Sequence, residues 1–378
     1  MRLFEYEAKD IFRRFGIPVP NGAIAGSPRE VDLAVGRVGL PVAIKAQVLV
    51  GGRGKAGGIE FADSLKGAVE KAEELMGKKI RGHRVRRVLV EEKLGIKHEY
   101  YLGVTIDQLS GRPVVMFSTE GGVDVETIAE ERPEALISKR VSLSRGLFQF
   151  EARDICQQLG LDGAFLLKVS SILHRLYSVF DQYDALIAEI NPLAVTNEDK
   201  IYAVDAVLEI DDNSLFRHSD IKLDLSRVED EIRREATKRG LSYVRLKGDI
   251  GVIGSGAGLT MTTIDLIKDF GGEPANFLET GGGITEQLME GAVELMLRDE
   301  RLRALLINLY GGINPMPAAA KGIVRAYERL RPEIPILVKL VGNQQEEAWG
   351  ILESAGIPVV KEIQTEVAVR KLMSMLGG

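Results

Sequence analysis

Residues 248–259 read GDIGVIGSGAGL, a short apolar run that ends in a glycine turn and opens a helical segment. The same pattern recurs downstream. Further apolar runs stand at Ala304–Leu309, Ile336–Leu340 and Pro358–Val360. Helical periodicity marks roughly 258–270, 285–298, 316–330, 344–355 and 364–375 between and after them. Short strands alternating with helices predict a doubly wound parallel sheet. Two more glycine turns follow in this half: Thr280-Gly281-Gly282-Gly283-Ile284-Thr285 before a helix, and Gly311-Gly312-Ile313-Asn314 after a strand. None has the GxGxxG spacing of a dinucleotide site. Each still belongs where open parallel sheets bind ligands, at the carboxyl ends of the strands. Free amides at a helix start favour an anion there, although any one such turn serves tight packing equally well.

Upstream the pattern differs. One helix is expected over Tyr6 to Phe15, ending at Gly16-Ile17-Pro18. A second starts at Ser27-Pro28-Arg29-Glu30, with capping-box spacing and Pro at the first helical position, and closes at Gly39. Pro41 to Gln47 reads as a strand, followed by the loop GGRGKAGG at 51–58, a helix at 64–76 and strands at 85–91 and 99–106. Ala185–Ile190 and Ile201–Val207 read as hairpin arms around Asn197-Glu198-Asp199-Lys200. Helices mixed with antiparallel pairs make this half α+β. A charged helix at about 226–239 separates the halves, and the boundary is placed near 238.

The chain has 378 residues, enough for two or three domains, with 45% hydrophobic and 28% charged residues. That balance excludes collagen, disorder and a disulfide scaffold. No apolar run of 18 residues suggests a membrane span, and MRLFEYEAKD is unlike a signal peptide. The single cysteine, Cys156, excludes internal disulfides and cysteine metal clusters, and suits the cytoplasm. A net charge of −6 argues against nucleic-acid binding; the one basic cluster, RGHRVRR at 81–87, reads as a solvated loop and strand edge.

Lys45 lies mid-strand in VAIKAQ, either on an exposed face or aimed at an anion. The loop six residues on favours the anion. Five glycines bring backbone amides close together, and Arg53 and Lys55 add charge. It is not a Walker A loop, because Ala56 follows Lys55. Nor is it a kinase, because the glycine loop follows VAIK and His174-Arg175 continues with Leu176.

A second constellation sits on the hairpin AEINPLAVTNEDKIYAVDAV. Glu189 and Asn191 share a strand face by the period of two. Folding about the turn brings Asn191 opposite residue 206, beside Asp205. Such oxygens suit Mg²⁺, which takes one or two protein ligands plus phosphates and water. The competing reading is a polar strand end in which Asn191 caps a turn before Pro192. Glu91 and Glu99 flank EKLGIKHE and could accept from a nucleotide's amine or ribose hydroxyl.

Taken together, VAIKAQVLVGGRGKAGG, FSTEGGVDVE, AEINPLAV, LFRH, GGEPANFLETGGG and INLYGGI resemble the β subunit of succinate–CoA ligase, over essentially the whole chain from LFEYEAK onward. The resemblance implies an N-terminal ATP-grasp domain at 1–238, with a subdomain inserted at about 21–104, and a flavodoxin-like CoA-ligase domain at 239–378. It implies that succinate, CoA and ATP interconvert with succinyl-CoA, ADP and phosphate, through a phosphohistidine on a partner α subunit that also holds most of the CoA. The assembly would be αβ or α2β2, without nucleic acid or membrane. Carried over by position, Lys45, Gly52, Arg53, Gly54, Glu91, Leu94 and Glu99 would bind nucleotide. Asn191 and Asp205 would hold one Mg²⁺, and Glu189 would meet the phosphohistidine. Ser255, Gly312, Ile313 and Asn314 fall on the acid side. Pro18-Val19-Pro20 resembles the adenine-type members.

Two departures fall on the acid side. Ser255 stands where the family has Asn, and Ile313-Asn314-Pro315-Met316-Pro317 replaces a stretch carrying Arg and Asp. They motivate a malate or other short-acid CoA ligase as the alternative. A self-sufficient carboxylate–amine ligase is disfavoured by the α/β half. A subunit that has lost catalysis is disfavoured by Lys45, Asn191 and Asp205. None of His83, His98, His174 and His218 lies in the second-half glycine turns, so the relay histidine is expected in trans.

Overall fold

The computed structural model describes residues 1–221, 227 and 230–377. The chain divides into two compact units, 1–222 and 223–378.

The N-terminal unit contains two antiparallel sheets. The smaller runs in the order Gly22–Ala25, Val88–Glu92, Val42–Ala46, Ile59–Ala62. Val42, Ile44 and Ala46 pack with Val31, Ala34, Val35, Ala68, Ala72 and Leu75 from helices Pro28–Val38 and Leu65–Gly77. Alternation therefore sends Ala43 and Lys45 to the opposite face. The expected helix start is present: Ser27 Oγ accepts from Glu30 N, with Pro28 in the first turn, a cap worth about 1 kcal/mol.

The larger sheet runs Ile201–Ala203, Ala185–Thr196, Ile96–Asp107, Arg112–Ser118, Leu136–Arg140, with Val207–Ile210 also on Ala185–Thr196. Its core is closed by helices Glu5–Arg14, Gln149–Gln158 and Gly163–Gln182 through Ile11, Phe12, Ile155, Leu173 and Leu176. The hairpin differs from expectation. Leu193 pairs with Ala203, one residue off the expected register, and the second arm breaks after Ala203 and resumes at Val207. Asp205 sits in that break, where its Oδ1 accepts from Ala206 N at 2.8 Å. A carboxylate that bonds its own following amide competes with the ladder.

The C-terminal unit is a doubly wound sheet ordered Ser242–Arg245, Asn276–Glu279, Ile250–Gly254, Ala304–Gly311, Ile336–Gly342, Val359–Val360. All pairs are parallel except the first. Setting aside the antiparallel edge, the parallel strands follow the 2-1-3-4-5 flavodoxin-like order. Helices Ala257–Asp269 and Thr365–Gly377 cover one face, and Glu231–Lys238, Glu286–Leu297, Met316–Leu330 and Gln345–Ser354 the other. The charged helix expected from 226 starts at Glu231 among the described residues. The strands at 242–245 and 276–279 were not expected. Each spans only four residues, too few for the period to register.

Candidate active site

A cavity of about 530 Å³ in the N-terminal unit is lined from both sheets. The residues expected to bind phosphate, Lys45, Gly52, Arg53 and Gly54, line it, as do Glu91, Leu94 and Glu99. Glu189, Asn191 and Asp205 line it from the hairpin side. The structure thus brings together all ten positions singled out in this half, although they are spread over 161 positions of sequence.

Lys45 is not on a solvated face. Its side chain is 5% exposed, and its Nζ lies 2.7 Å from Glu91, 3.1 Å from Glu5 and 2.5 Å from Val204 O. Burial alone would push its proton off; the carboxylates of Glu5, Glu91 and Asp205 override burial and hold it above the ordinary lysine value. Arg53 is bracketed by Glu5 Oε2 at 2.8 Å and Asp205 Oδ1 at 2.5 Å. Burial, which would lower its value, is again outweighed, first by Asp205 and then by Glu5. Two cations are thus held fully charged on the cavity, Lys45 from strand Val42–Ala46 and Arg53 from the glycine loop, an arrangement chemically suited to an anion. Lys55 contributes less: its pair with Asp124 is more than half exposed on both sides, a geometry worth about 0–1 kcal/mol.

Glu91 differs from the sequence reading in one respect. Its carboxylate is 2% exposed and engaged by two lysines, Lys9 through both oxygens at 2.6 and 2.8 Å and Lys45 at 2.7 Å. It acts as a buried counterion, not a free acceptor. Glu99 sits on the long strand Ile96–Asp107 against Gly122, whose φ of +76° and lack of a side chain both matter. A Cβ there would lie 2.5 Å from the Glu99 carboxylate.

Asn191 is oriented at both ends of its amide. Oδ1 accepts from Gly122 N at 2.8 Å, and Nδ2 donates to Val123 O at 2.9 Å. Glu189 lies two residues earlier, in register with Gly103 and Val207. Burial and the Asp205 carboxylate push its acid up to about 7, with Arg2 opposing. Among the described residues no group of three or more His, Cys, Asp and Glu side chains could hold a metal ion. Asn191 and Asp205 do fit Mg²⁺, which is commonly held by one or two protein oxygens with substrate phosphates and water completing the shell. Both offer side-chain oxygens on the cavity that Lys45 and Arg53 also line.

Sequence reasoning missed several contributors. Lys9 is expected only as part of the helix from Tyr6 to Phe15, and Glu5 lies just before that expected start, yet both are buried in the charge cluster. Polar residues on the core side of the helical period were the available signal. The segment Gly122 to Glu126, which lines the cavity and orients Asn191, was noticed only as part of a resemblance; its glycine pair before a helix was the signal.

In the C-terminal unit, Ser255 follows strand Ile250–Gly254 and the 311–314 turn follows strand Ala304–Gly311. These are the two strands between which the order reverses, where such sheets place ligands. Ser255 Oγ accepts from Tyr310 N at 2.8 Å and donates to Tyr310 O at 3.1 Å, tying the two turns together. Asn314 Nδ2 donates to Gly282 O, so the third glycine turn joins them. Asn343 Nδ2 donates to Ile313 O at 3.2 Å. The glycines divide by role. A Cβ on Gly254 would sit 2.0 Å from Thr260 Oγ1, so that one is needed for packing. On Gly282, Gly283 and Gly312 it would meet nothing.

Comparison with known proteins gives a consistent picture. Residues 2–195 match the ATP-grasp domain family and residues 253–373 the CoA-ligase family. The chain is 43% identical to a GDP-forming succinate–CoA ligase subunit beta of Thermus thermophilus, covering 100% of both chains. It is 42% identical to an ADP-forming succinate–CoA ligase subunit beta of Natronomonas pharaonis over 97% of both chains, and 41% identical to that of Methanocaldococcus jannaschii over 100% of both. Among solved structures, ATP citrate lyase from Methanothrix soehngenii has a similar fold, with a TM-score of 0.78 and 21% identity over 99% of each chain.

Proposed function

This chain belongs to the succinate–CoA ligase β-subunit family, and from that premise we propose that its N-terminal unit binds Mg-ATP and passes the γ-phosphoryl group to a histidine of a partner α subunit. The observation that carries the reading is the convergence of Lys45, Arg53 and the 52–54 glycine loop with Asn191, Asp205 and Glu189 on one cavity. Lys45 and Arg53 bind the phosphates. Asn191 and Asp205 hold one Mg²⁺, which when bound neutralises charge developing on the phosphoryl oxygens. Glu189 meets the incoming histidine. Leu94 and Glu99 lie at the base and ribose end, with Glu91 fixing the lysines behind them. The acid, succinate, is held at the turns carrying Ser255, Gly312, Ile313 and Asn314, and CoA mainly by the partner. These two tasks fall to separate units, 1–222 and 223–378; the boundary lies before the expected 238 because helix Glu231–Lys238 packs into the C-terminal core through Ile232 and Ala236.

No histidine lines the cavity among the described residues. His98 pairs across the sheet with Val195, and His218 Nε2 is 2.8 Å from Asp184. A phosphoryl relay needs a nucleophile, which supports one arriving from the α subunit in an αβ or α2β2 assembly. No helix among the described residues is long and apolar enough to cross a membrane. The lone buried Cys156 suits a cytoplasmic setting.

The test is incubation with γ-labelled ATP, with and without the α subunit. Label should appear on the partner only, and succinyl-CoA should form only with both chains. Label retained on a histidine of this chain, or acyl-CoA made by it alone, would falsify the two-subunit reading. A parallel arm with GTP should run slower; GTP ahead by tenfold would reverse the base assignment.

Ser255→Asn tests the acid side. Asparagine can make both bonds, as Asn276 does to Val252 N and O, but only with a longer side chain than the Ser255 hydroxyl bonded to Tyr310, so the turn must shift. The KM for succinate is expected to change at least about threefold, the effect of roughly 0.6 kcal/mol, while the KM for ATP stays constant. Equal changes in both would make Ser255 purely structural.

A further inference from the structure

Six charged side chains meet at the inner wall of the cavity: the acids Glu5, Glu91 and Asp205 and the cations Lys9, Lys45 and Arg53. Their formal charges cancel. Lys9 Nζ lies 2.7 Å from Glu5, contacts both oxygens of Glu91 and donates to Val204 O at 2.7 Å. Lys45 donates to the same Val204 carbonyl, the one immediately before Asp205. Glu5 contacts Lys9, Lys45 and Arg53, and its side chain is wholly buried. Glu5 reaches the cavity wall; Lys9 does not line it.

Stability does not explain this arrangement. Two buried charges cost several kcal/mol each to desolvate, and an apolar pair of similar size usually does as well. The same helix already anchors the core through Ala8, Ile11 and Phe12. We infer that Glu5 and Lys9 are positioning residues that set the net charge presented to the nucleotide phosphates through Lys45, Arg53 and Glu91. Lys9 neutralises Glu91, so that Lys45 is not spent on that carboxylate alone. Glu5 holds Lys45 and Arg53 together against their mutual repulsion. This inference rests on the nucleotide reading above and adds to it two residues on the first helix.

The charge balance makes opposite predictions for two isosteric changes. Lys9→Met leaves the cluster at −1, which repels phosphates. Glu5→Gln leaves it at +1, with Lys45 and Arg53 both less committed. A purely structural role would make both variants bind worse. The experiment measures the Kd of Mg-ADP for the full chain by calorimetry, alongside its melting temperature. Lys9→Met should weaken binding about tenfold, the scale of one unit charge acting across roughly 10 Å of partly screened protein. Glu5→Gln should tighten it, and the double variant should return close to the unaltered chain. Weaker binding by Glu5→Gln, or a double variant worse than either single one, overturns the inference. If Lys9→Met does not fold, the sign for Glu5→Gln decides alone. Lys45→Met serves as the control for the site. If the unaltered chain binds no better than Lys45→Met, the nucleotide reading falls and the inference with it. Binding that Lys45→Met abolishes but that lacks the opposed signs removes only the positioning role.

Discussion

Replacing Asp205 by alanine is expected to remove nearly all phosphoryl transfer while leaving the chain folded. Asp205 lies in the break between strands Ile201–Ala203 and Val207–Ile210, so no ladder depends on its side chain. The carboxylate is about a third exposed. Its Oδ1 is taken by Arg53 and by Ala206 N, and Oδ2 has no hydrogen-bond partner among the described residues. Arg53 keeps Glu5 when Asp205 is removed, so the cost to stability is about 1.5–3 kcal/mol, one charge-assisted bond. The cost to activity is larger. Asp205 is proposed as one of two protein ligands to Mg²⁺, and metal stabilisation of a phosphoryl transition state is worth several kcal/mol. That converts to roughly a hundredfold to a thousandfold in rate. The measurement is the rate of partner phosphorylation over a Mg²⁺ titration. Activity recovering only at high Mg²⁺ supports lost metal affinity. An unchanged rate at limiting Mg²⁺ would remove Asp205 from the metal site. Arg53 holds only Oδ1 of Asp205, so Oδ2 is left for a metal without Arg53 having to move.

Much of this arrangement was legible in the sequence, and the limits have physical causes. The alternation after residue 248 gave the parallel sheet, because strands buried on both faces read as unbroken apolar runs such as Ala304–Leu309. The edge pieces 242–245 and 276–279 escaped because four residues carry no usable period. Helix Gly163–Gln182 was expected only as a helix around His174, without bounds, although it is the longest described and lies at the centre of a core. Its buried residues Val169, Ile172, Leu173, Leu176, Tyr177 and Phe180 recur at helical spacing, so the stripe was available in the sequence. The site was legible where local chemistry is unusual: five glycines beside two cations, or Glu189 and Asn191 at a spacing of two. It was opaque where a residue's role exists only through distant partners. Nothing near Lys9 in sequence indicates that it will grip Glu91, 82 positions away. Glu91 was read as a free carboxylate for the same reason.

Glu189→Gln is expected to act in opposite directions on activity and stability. Glu189 is placed by strand Ala185–Thr196 opposite Gly103, with Tyr101 close enough that burial and the Glu189 charge together drive its phenol upward. Burial and Asp205 raise the Glu189 carboxyl from 4.5 to about 7. The folded chain therefore holds this proton more tightly than the unfolded chain does. Below about pH 4.5 the group is neutral in both states and imposes no penalty. As the pH rises toward 7 the unfolded chain ionises first, and stability is lost progressively. Above 7 the folded chain carries a buried carboxylate, a penalty of about 3 kcal/mol by linkage. Glutamine cannot ionise, so Glu189→Gln should unfold at higher denaturant than the unaltered chain at pH 8, and the gap should close as the pH falls to 4.5. The comparison is made without metal or nucleotide, because both add charge beside the group. Phosphorylation of the α subunit by the same variant should fall about a hundredfold, the lower range for a positioned acid–base group. The two effects have one origin. A carboxylate held against its own desolvation is poised to accept a hydrogen bond from an incoming imidazole, and the folded chain gives up stability to keep it there. A pH-independent gap in stability would mean that Glu189 titrates normally. Full phosphorylation by the variant would mean that the partner histidine is oriented by other residues.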